Sequence, residues 1–286
     1  MTLQRDQIQR VVAVALAEDA PFGDITSQTF VPAATTATAE LVARETGVFA
    51  GAGVFEVAMT ALDDTIKVTL LANDGDRFAA GQALARVDGP ARAILQAERV
   101  ALNLVQRMCG IATLTAGYVA AVAAVPGARA RVVDTRKTTP GLRALERHAV
   151  RCGGGHNHRY SLSDAVLAKD NHLAMVDDIG AAIGRARAEL PHTMHLEVEI
   201  DRLDQLEAVL AAGPDTIMLD NFSLEDLAEG VRRIGGRALV EASGGVTLDT
   251  IGAIAGTGVD LISVGALTHS VRCLDLGLDV VVRPGR

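Results

Sequence analysis

From about residue 130 onward, short apolar runs alternate with helix-like stretches, and this alternation limits the fold more than any other feature of the chain. The strand candidates are ARVVD, AVLAK, MHLEVEI, TIMLD, ALVEAS and DLISVG. Between them lie amphipathic stretches such as DIGAAIGRARAEL, RLDQLEAVLAAG, LEDLAEGVRRIG and TLDTIGAIAGTG, several of which end at glycine, the common helix stop. Alternation of this kind implies parallel strands joined by right-handed crossovers. Six such units predict either a barrel short of eight strands or a doubly wound sheet. The strand ends favour the barrel. They finish on or run into Arg136 and Lys137, Lys169, Glu199, Asp220, Ser243 and Gly265, and in an α/β barrel the carboxyl ends of the strands form the active-site face.

The first part of the chain has a different texture. Residues 5–18 carry Ile8, Val11, Val12, Ala15 and Leu16 at helical spacing, and EDAPFGDITS ends that helix with Pro21 and Gly23. Short strand-like runs follow (AELVARE, GVFAG, IKVTLLA, QALARVDG) between Gly and Asp turns. NDGDRFAAGQALARVDG resembles half of a biotinyl- or lipoyl-type sandwich, but without a lysine at the hairpin tip, so it reads as structure. From Pro90 to about Ala124 the pattern is helical, with a break expected near Gly110.

Composition excludes several function classes. The net charge of −8 argues against general nucleic-acid binding. No run of 18 apolar residues occurs, so no membrane span is expected. The N-terminal stretch carries acids and lacks a signal-peptide cleavage pattern, and Cys109, Cys152 and Cys273 are odd in number and widely spaced. They read as reduced thiols of a cytoplasmic protein. Cations are almost all Arg: of 27 Lys and Arg, only Lys67, Lys137 and Lys169 are lysine. A retained lysine points to a place where a compact ammonium serves better than a guanidinium.

Against the acidic background, residues 129–172 hold nine Lys/Arg and four Asp/Glu, with four of the seven His. Within this segment stands RCGGGHNHR, residues 151–159. His156 and His158 could be a metal pair, the segment could be a flexible surface loop, or it could bind an anion, since glycines allow close backbone approach and His and Arg donate hydrogen bonds. The cations at neighbouring strand ends favour the anion. Arg forks suit carboxylates bidentately and Lys suits phosphate, so Arg136, His158 and Arg159 are candidates to clamp a dicarboxylate.

Two strand-end acids complement this segment. Glu199 ends LEVEI and Asp220 ends TIMLD, while Glu197 shares the Glu199 face by period 2, so either glutamate could point inward. Such carboxylates can hold Mg²⁺ with a phosphate partner or stabilise a cationic transition state on a sugar ring. They could also simply pair with Lys137 or Lys169. EASGGVT and SVGALTHS place small residues after a strand and before a helix, where backbone N–H groups bind phosphate. Together these features suit glycosyl transfer from a pyrophosphate-activated, phosphorylated sugar to a carboxylate-bearing acceptor.

EDAPFGDITS, ERVALNLVQRMCGIAT, DTRKTTPGLR, AVRCGGGHNHRYSLSDAVLAKDNH, EVEIDRLDQLEA, IMLDNF and EASGGV, in this order, resemble the quinolinate phosphoribosyltransferase family over nearly the whole chain. The resemblance implies an N-terminal α/β sandwich domain at residues 1–110, packed against an incomplete α/β barrel of about six parallel strands at residues 111–272. Residues 273–286 are expected to return to the first domain. It implies transfer of phosphoribosyl from 5-phosphoribosyl 1-pyrophosphate to quinolinate with decarboxylation, Mg²⁺ as cofactor, and a homodimer or a hexamer built as a trimer of dimers. By motif, Arg136, His158, Arg159 and Lys169 would bind quinolinate, with Arg99 supplied by the neighbouring chain. Lys137 would meet the donor phosphates, Glu199 and Asp220 the ribose and Mg²⁺. Ser243, Gly244, Gly245, Gly265 and Ala266 would bind the 5-phosphate. Two alternatives stand beside this reading: a related protein of molybdenum-transport operons with another acceptor, and a barrel aldolase forming a Schiff base on Lys169.

Overall fold

The computed structural model describes residues 3–281. The chain divides into two compact units: residues 1–116 with 138–154 and 270–286, and residues 117–137 with 155–269.

The first unit is built on an antiparallel sheet. Its strands are β1 (Thr36–Ala43), β3 (Lys67–Leu70) and β5 (Ala83–Pro90), with β2 (Gly47–Val48) and β4 (Arg77–Phe78) forming a separate pair. The helix Arg5–Asp19 buries Ile8, Val12 and Leu16, the expected stripe, and Asp24 caps the next helix by accepting the Ser27 N–H at 3.1 Å. Of GVFAG only Gly47 and Val48 are strand. The chain turns at Gly51, whose φ of +106° suits glycine, into the helix Ala52–Thr60.

The break expected near Gly110 does not occur: one helix runs from Ala91 to Ala123. Gly110 serves packing instead, because a Cβ there would lie 2.1 Å from the Arg272 carbonyl oxygen. Gly153 is similar. Its Cβ would strike the Ala112 carbonyl oxygen at 2.3 Å and Thr115 Cβ at 2.6 Å. The first glycine of the triplet therefore lets the helix Arg143–Cys152 end tight against the helix Ala91–Ala123, a packing role the anion reading of the loop did not include.

The second unit is a six-stranded parallel sheet of β6 (Arg131–Val133), β7 (Val166–Ala168), β8 (Leu196–Ile200), β9 (Thr216–Asp220), β10 (Leu239–Ser243) and β11 (Leu261–Ser263). The spatial order is β6-β11-β10-β9-β8-β7. From β7 to β11 and on to β6 the order rolls one way, as in a barrel. A doubly wound sheet reverses direction partway. β6 and β7 do not pair with each other, so the barrel is incomplete; His156 makes a parallel bridge to Val133 on the free side of β6. Leu196, Val198, Ile200, Ile217, Leu219, Val240, Ala242 and Ile262 are all at most 3% exposed, the near-continuous apolar content expected of strands covered on both faces. A last strand, β12 (Leu276–Val281), belongs to the first unit and pairs antiparallel with β1, Leu278 opposite Leu41. The rest of the C-terminal segment, residues 282–286, lies outside the described residues.

Candidate active site

Register assigns the faces of the barrel strands. Thr216 pairs with Glu197 and with Leu239, Met218 pairs with Glu199 and with Glu241, and Asp220 pairs with Ser243. Paired residues of parallel strands point to the same side. Glu197 and Glu199 are therefore both on the inner face: Glu197 lies deeper, level with Thr216, and Glu199 lies one layer nearer the carboxyl rim. Leu196, Val198 and Ile200 take the opposite face.

At the rim, Lys169 Nζ donates to Glu199 Oε2 at 2.7 Å. That contact engages the amine that a Schiff base would use. Asp220 follows on the next strand, and its Oδ2 accepts from Asn221 Nδ2 at 2.7 Å. Asn221 has a φ of +59°, the one non-glycine positive φ among the described residues, and its N–H donates to the Ser243 carbonyl at 2.9 Å. This uncommon backbone ties the ends of β9 and β10 together and orients the Asp220 carboxylate. Gly244 and Gly245 follow with φ of +92° and +59°. A Cβ on Gly244 would sit 2.1 Å from Asn221 Oδ1, so the glycine is required by its neighbour as well as by its conformation. Lys137 lies beside the second glycine loop: a Cβ on Gly265 would be 3.2 Å from Lys137 Cδ, and Thr268 Oγ1 donates to the Lys137 carbonyl at 2.8 Å. Ala266 opens the short helix after that loop.

The basic segment is held from below by Asp134. This carboxylate is fully buried at the end of β6, accepting from Asn157 Nδ2 at 2.6 Å and from the His158 N–H at 2.8 Å. It fixes residues 156–159 where Arg159 meets Arg136. Burial first, and the Arg136 guanidinium second, pull Arg159 below the ordinary arginine range. Two cations drawn together in this way call for an anion. Arg159 Nη1 also donates to the Ala165 carbonyl at 2.9 Å.

His158 turns inward. Its Nδ1 accepts the Arg159 N–H at 2.8 Å, and its Nε2 lies 3.1 Å from Glu197 and 3.6 Å from Glu241. Burial lowers the ring, but the Glu197 hydrogen bond and the charges of Glu241, Glu197 and Asp134 outweigh it and hold His158 above the usual histidine range. Glu241 is only 1% exposed, and burial, with the Glu197 carboxylate next, pushes it up to about 8. It therefore holds a proton near neutral pH, which lets two carboxyl groups share a dry interior.

Asp134, Asn221 and Glu241 touch the candidate residues His158 and Asp220, and the sequence reading did not single them out. Glu241 had a visible signal, an acid inside the apolar run ALVEAS. His156 is exposed and bridges through its backbone, and it belongs to neither group of metal-competent side chains among the described residues. Glu199 and Asp220 belong to neither group as well, yet they offer hard oxygens on adjacent strands. This fits an Mg²⁺ that brings phosphate oxygens with it, the usual way that ion is held. Arg99 is exposed on the helix Ala91–Ala123, in the first unit.

The family models for the "Quinolinate phosphoribosyl transferase" N-terminal and C-terminal domains match residues 24–109 and 111–279. Among curated proteins, the chain is 49% identical to a "Nicotinate-nucleotide pyrophosphorylase [carboxylating]" of Mycobacterium leprae, covering 96% of each chain. It is 42% identical to a probable enzyme of the same name from Bacillus subtilis, over 96% of this chain and 94% of that one. Among solved structures, NadC from Streptococcus pyogenes superposes with a TM-score of 0.92 at 41% identity, covering 99% of this chain and 100% of that one. A nicotinate-nucleotide pyrophosphorylase from Francisella tularensis gives 0.93 at 38% identity over 98% of each.

Proposed function

This chain belongs to the quinolinate phosphoribosyltransferase family, and from that premise we infer that its barrel rim transfers phosphoribosyl from 5-phosphoribosyl 1-pyrophosphate to quinolinate, yielding nicotinate mononucleotide, pyrophosphate and CO₂. The observation that carries this reading is the gathering of a two-guanidinium pocket, two strand-end acids and two glycine loops at the carboxyl ends of one parallel sheet.

Arg136 and Arg159 take the two carboxylates of quinolinate through their planar forks, with Lys169 as a third cation. His158 braces Arg159 through the Arg159 amide and can meet a carboxylate only by releasing that contact. Lys137 faces the donor phosphates beside Gly265 and Ala266, and Ser243, Gly244 and Gly245 offer their amides to the 5-phosphate. As pyrophosphate departs, the ribose ring gains oxocarbenium character, and Glu199 and Asp220 stabilise that charge from fixed positions. Glu199 and Asp220 would be the residues to hold Mg²⁺, which would supply charge neutralisation on the leaving pyrophosphate. The pyridine nitrogen attacks C1 of the ribose. The ring is then a pyridinium, the C2–carboxylate bond breaks, CO₂ leaves, and the electron pair stays on C2 as an ylide. Lys169 or a bound water protonates C2.

The same reading assigns the chain to the cytoplasm and to a homodimer or a trimer of dimers, with Arg99 of one subunit completing the neighbour's quinolinate pocket. It is tested by incubating the protein with Mg²⁺, 5-phosphoribosyl 1-pyrophosphate and carboxyl-labelled quinolinate, with nicotinate in parallel. Equal yields of CO₂ and nicotinate mononucleotide from quinolinate, and little product from nicotinate, are expected. No product from either acid would overturn the acceptor assignment.

A further inference from the structure

Within the first unit, three chemically different metal-ligating side chains come together. His148 and Cys152 stand four residues apart on the helix Arg143–Cys152 and so share a face. Asp74 faces them from the turn after β3. One of its oxygens, Oδ1, is fixed by the N–H groups of Gly51 and Ala52 at 2.8 and 2.9 Å, while Oδ2 lies 2.6 Å from His148 Nε2. One ligand atom from each of Asp74, His148 and Cys152 falls within 4.8 Å of the other two. We propose that Asp74, His148 and Cys152 form a binding site for one divalent transition metal of the zinc type, separate from the quinolinate site and not required by it.

The chemistry of the set selects the metal. A carboxylate, an imidazole and a thiol together suit a borderline-soft ion, not Mg²⁺ or Ca²⁺. Bonds of about 2.0–2.3 Å in a tetrahedral site place ligand atoms roughly 3.3–3.8 Å apart. The three atoms are already within reach of that spacing, and the Asp74–His148 contact has only to open by about one ångström to admit an ion. The Asp74–His148 hydrogen bond alone would be an ordinary surface pair. What makes it a ligand set is a thiol on the same helical face and an aspartate whose second oxygen is already committed. The side chains of His148 and Asp74 are 21% and 27% exposed, which leaves a fourth position to water. Burial, and then the Asp74 carboxylate, push the Cys152 thiol up to about 12, so without a metal it is an inert thiol, not a nucleophile. On binding, Cys152 exchanges its S–H bond for an S–metal bond and releases one proton to solvent. The imidazole contributes a nitrogen lone pair. No electrons are transferred, and affinity rises with pH.

The test uses the full chain after treatment with a chelator, titrated with Co²⁺ and then with Zn²⁺. One equivalent of Co²⁺ is expected to give a thiolate-to-cobalt charge-transfer band with the intense visible absorption of a tetrahedral centre, and Zn²⁺ should erase both. Cys152→Ser should lose the band, and His148→Gln should weaken binding by roughly tenfold or more. Zn²⁺ should raise the unfolding temperature of the wild type and not that of Cys152→Ser. Absence of the band in the wild type, or its survival in Cys152→Ser, would overturn the site. Turnover of quinolinate by Cys152→Ser with Mg²⁺ is expected to match wild type, so failure here and failure of the proposed reaction are read separately.

Discussion

Replacing Asp134 by alanine tests how the anion pocket is held. The Asp134 carboxylate is fully buried and accepts from Asn157 Nδ2 and from the His158 amide. The backbone bridge between Val133 and His156 does not use the side chain, so Asp134→Ala keeps the chain path and removes two acceptors. A buried donor left without a partner costs about 1–3 kcal/mol. Asn157 and His158 are only half-buried and regain some water, so the total falls in the lower half of the range for two donors, about 2–3 kcal/mol. For a chain of this size that lowers the unfolding temperature by roughly 5–10 °C. The loop carrying Arg159 also loses its anchor, and a shift of about an ångström at a binding group can cost a hundredfold in rate. The kcat/KM for quinolinate should therefore fall by about that factor, while the KM for 5-phosphoribosyl 1-pyrophosphate changes little. Asp134→Asn, which keeps one acceptor oxygen, should lie between. Calorimetry and steady-state kinetics on both variants decide it. An Asp134→Ala protein that melts with the wild type and keeps its quinolinate KM would refute the view that this carboxylate positions the pocket.

Arg136→Ala removes half of the guanidinium pair. The loss of a charged hydrogen-bonding partner, about 1.5–3 kcal/mol, should weaken quinolinate binding roughly 10- to 150-fold in a direct titration, and near-native affinity would show the clamp to be misplaced. Gly244→Ala forces a side chain into a φ of +92° and against Asn221. Its KM for 5-phosphoribosyl 1-pyrophosphate should rise far more than its KM for quinolinate, and stability should drop by about 1–3 kcal/mol. Glu241 supplies a pH signature. With its folded value near 8 and an ordinary value of 4.5, the native chain keeps a proton across that window which the unfolded chain has released, so this group's contribution to stability declines as pH rises from about 5 to 8. His158, held above its ordinary value, acts in the same direction: its contribution is present below its unfolded value and is lost as pH climbs through the folded one. Denaturant midpoints of Glu241→Gln should show a flatter decline over that range, and an unchanged slope would place the titration elsewhere.

What could be read from the chain without coordinates follows from how far apart the determining contacts lie. The six barrel strands were legible because each is an apolar run closed by its own turn residues, and Glu199 and Asp220 were legible because a charge at the end of such a run is a local anomaly. Glu241 carries the same anomaly, but its meaning is not local. Only register, which sets both Glu199 and Glu241 against Met218, puts it on the inner face towards which His158 turns. Asp134 and its partners Asn157 and His158 are more than twenty residues apart, and Gly110 and Arg272 far more. At Gly110 the local rule, that glycine interrupts a helix, yields to a distant carbonyl that fits only where a side chain is missing. His158 shows the finer limit. The segment announces an imidazole beside Arg159, but which nitrogen faces Glu197 and which accepts an amide depends on the fold of four separate segments. A polar group at a strand end thus reveals itself through its own neighbours in sequence, whereas a polar group that positions it does so only through neighbours in space. Asp134 and Glu241 open the motifs DTRKTTPGLR and EASGGV, yet only the fold shows that each of them holds His158 and the segment that carries it.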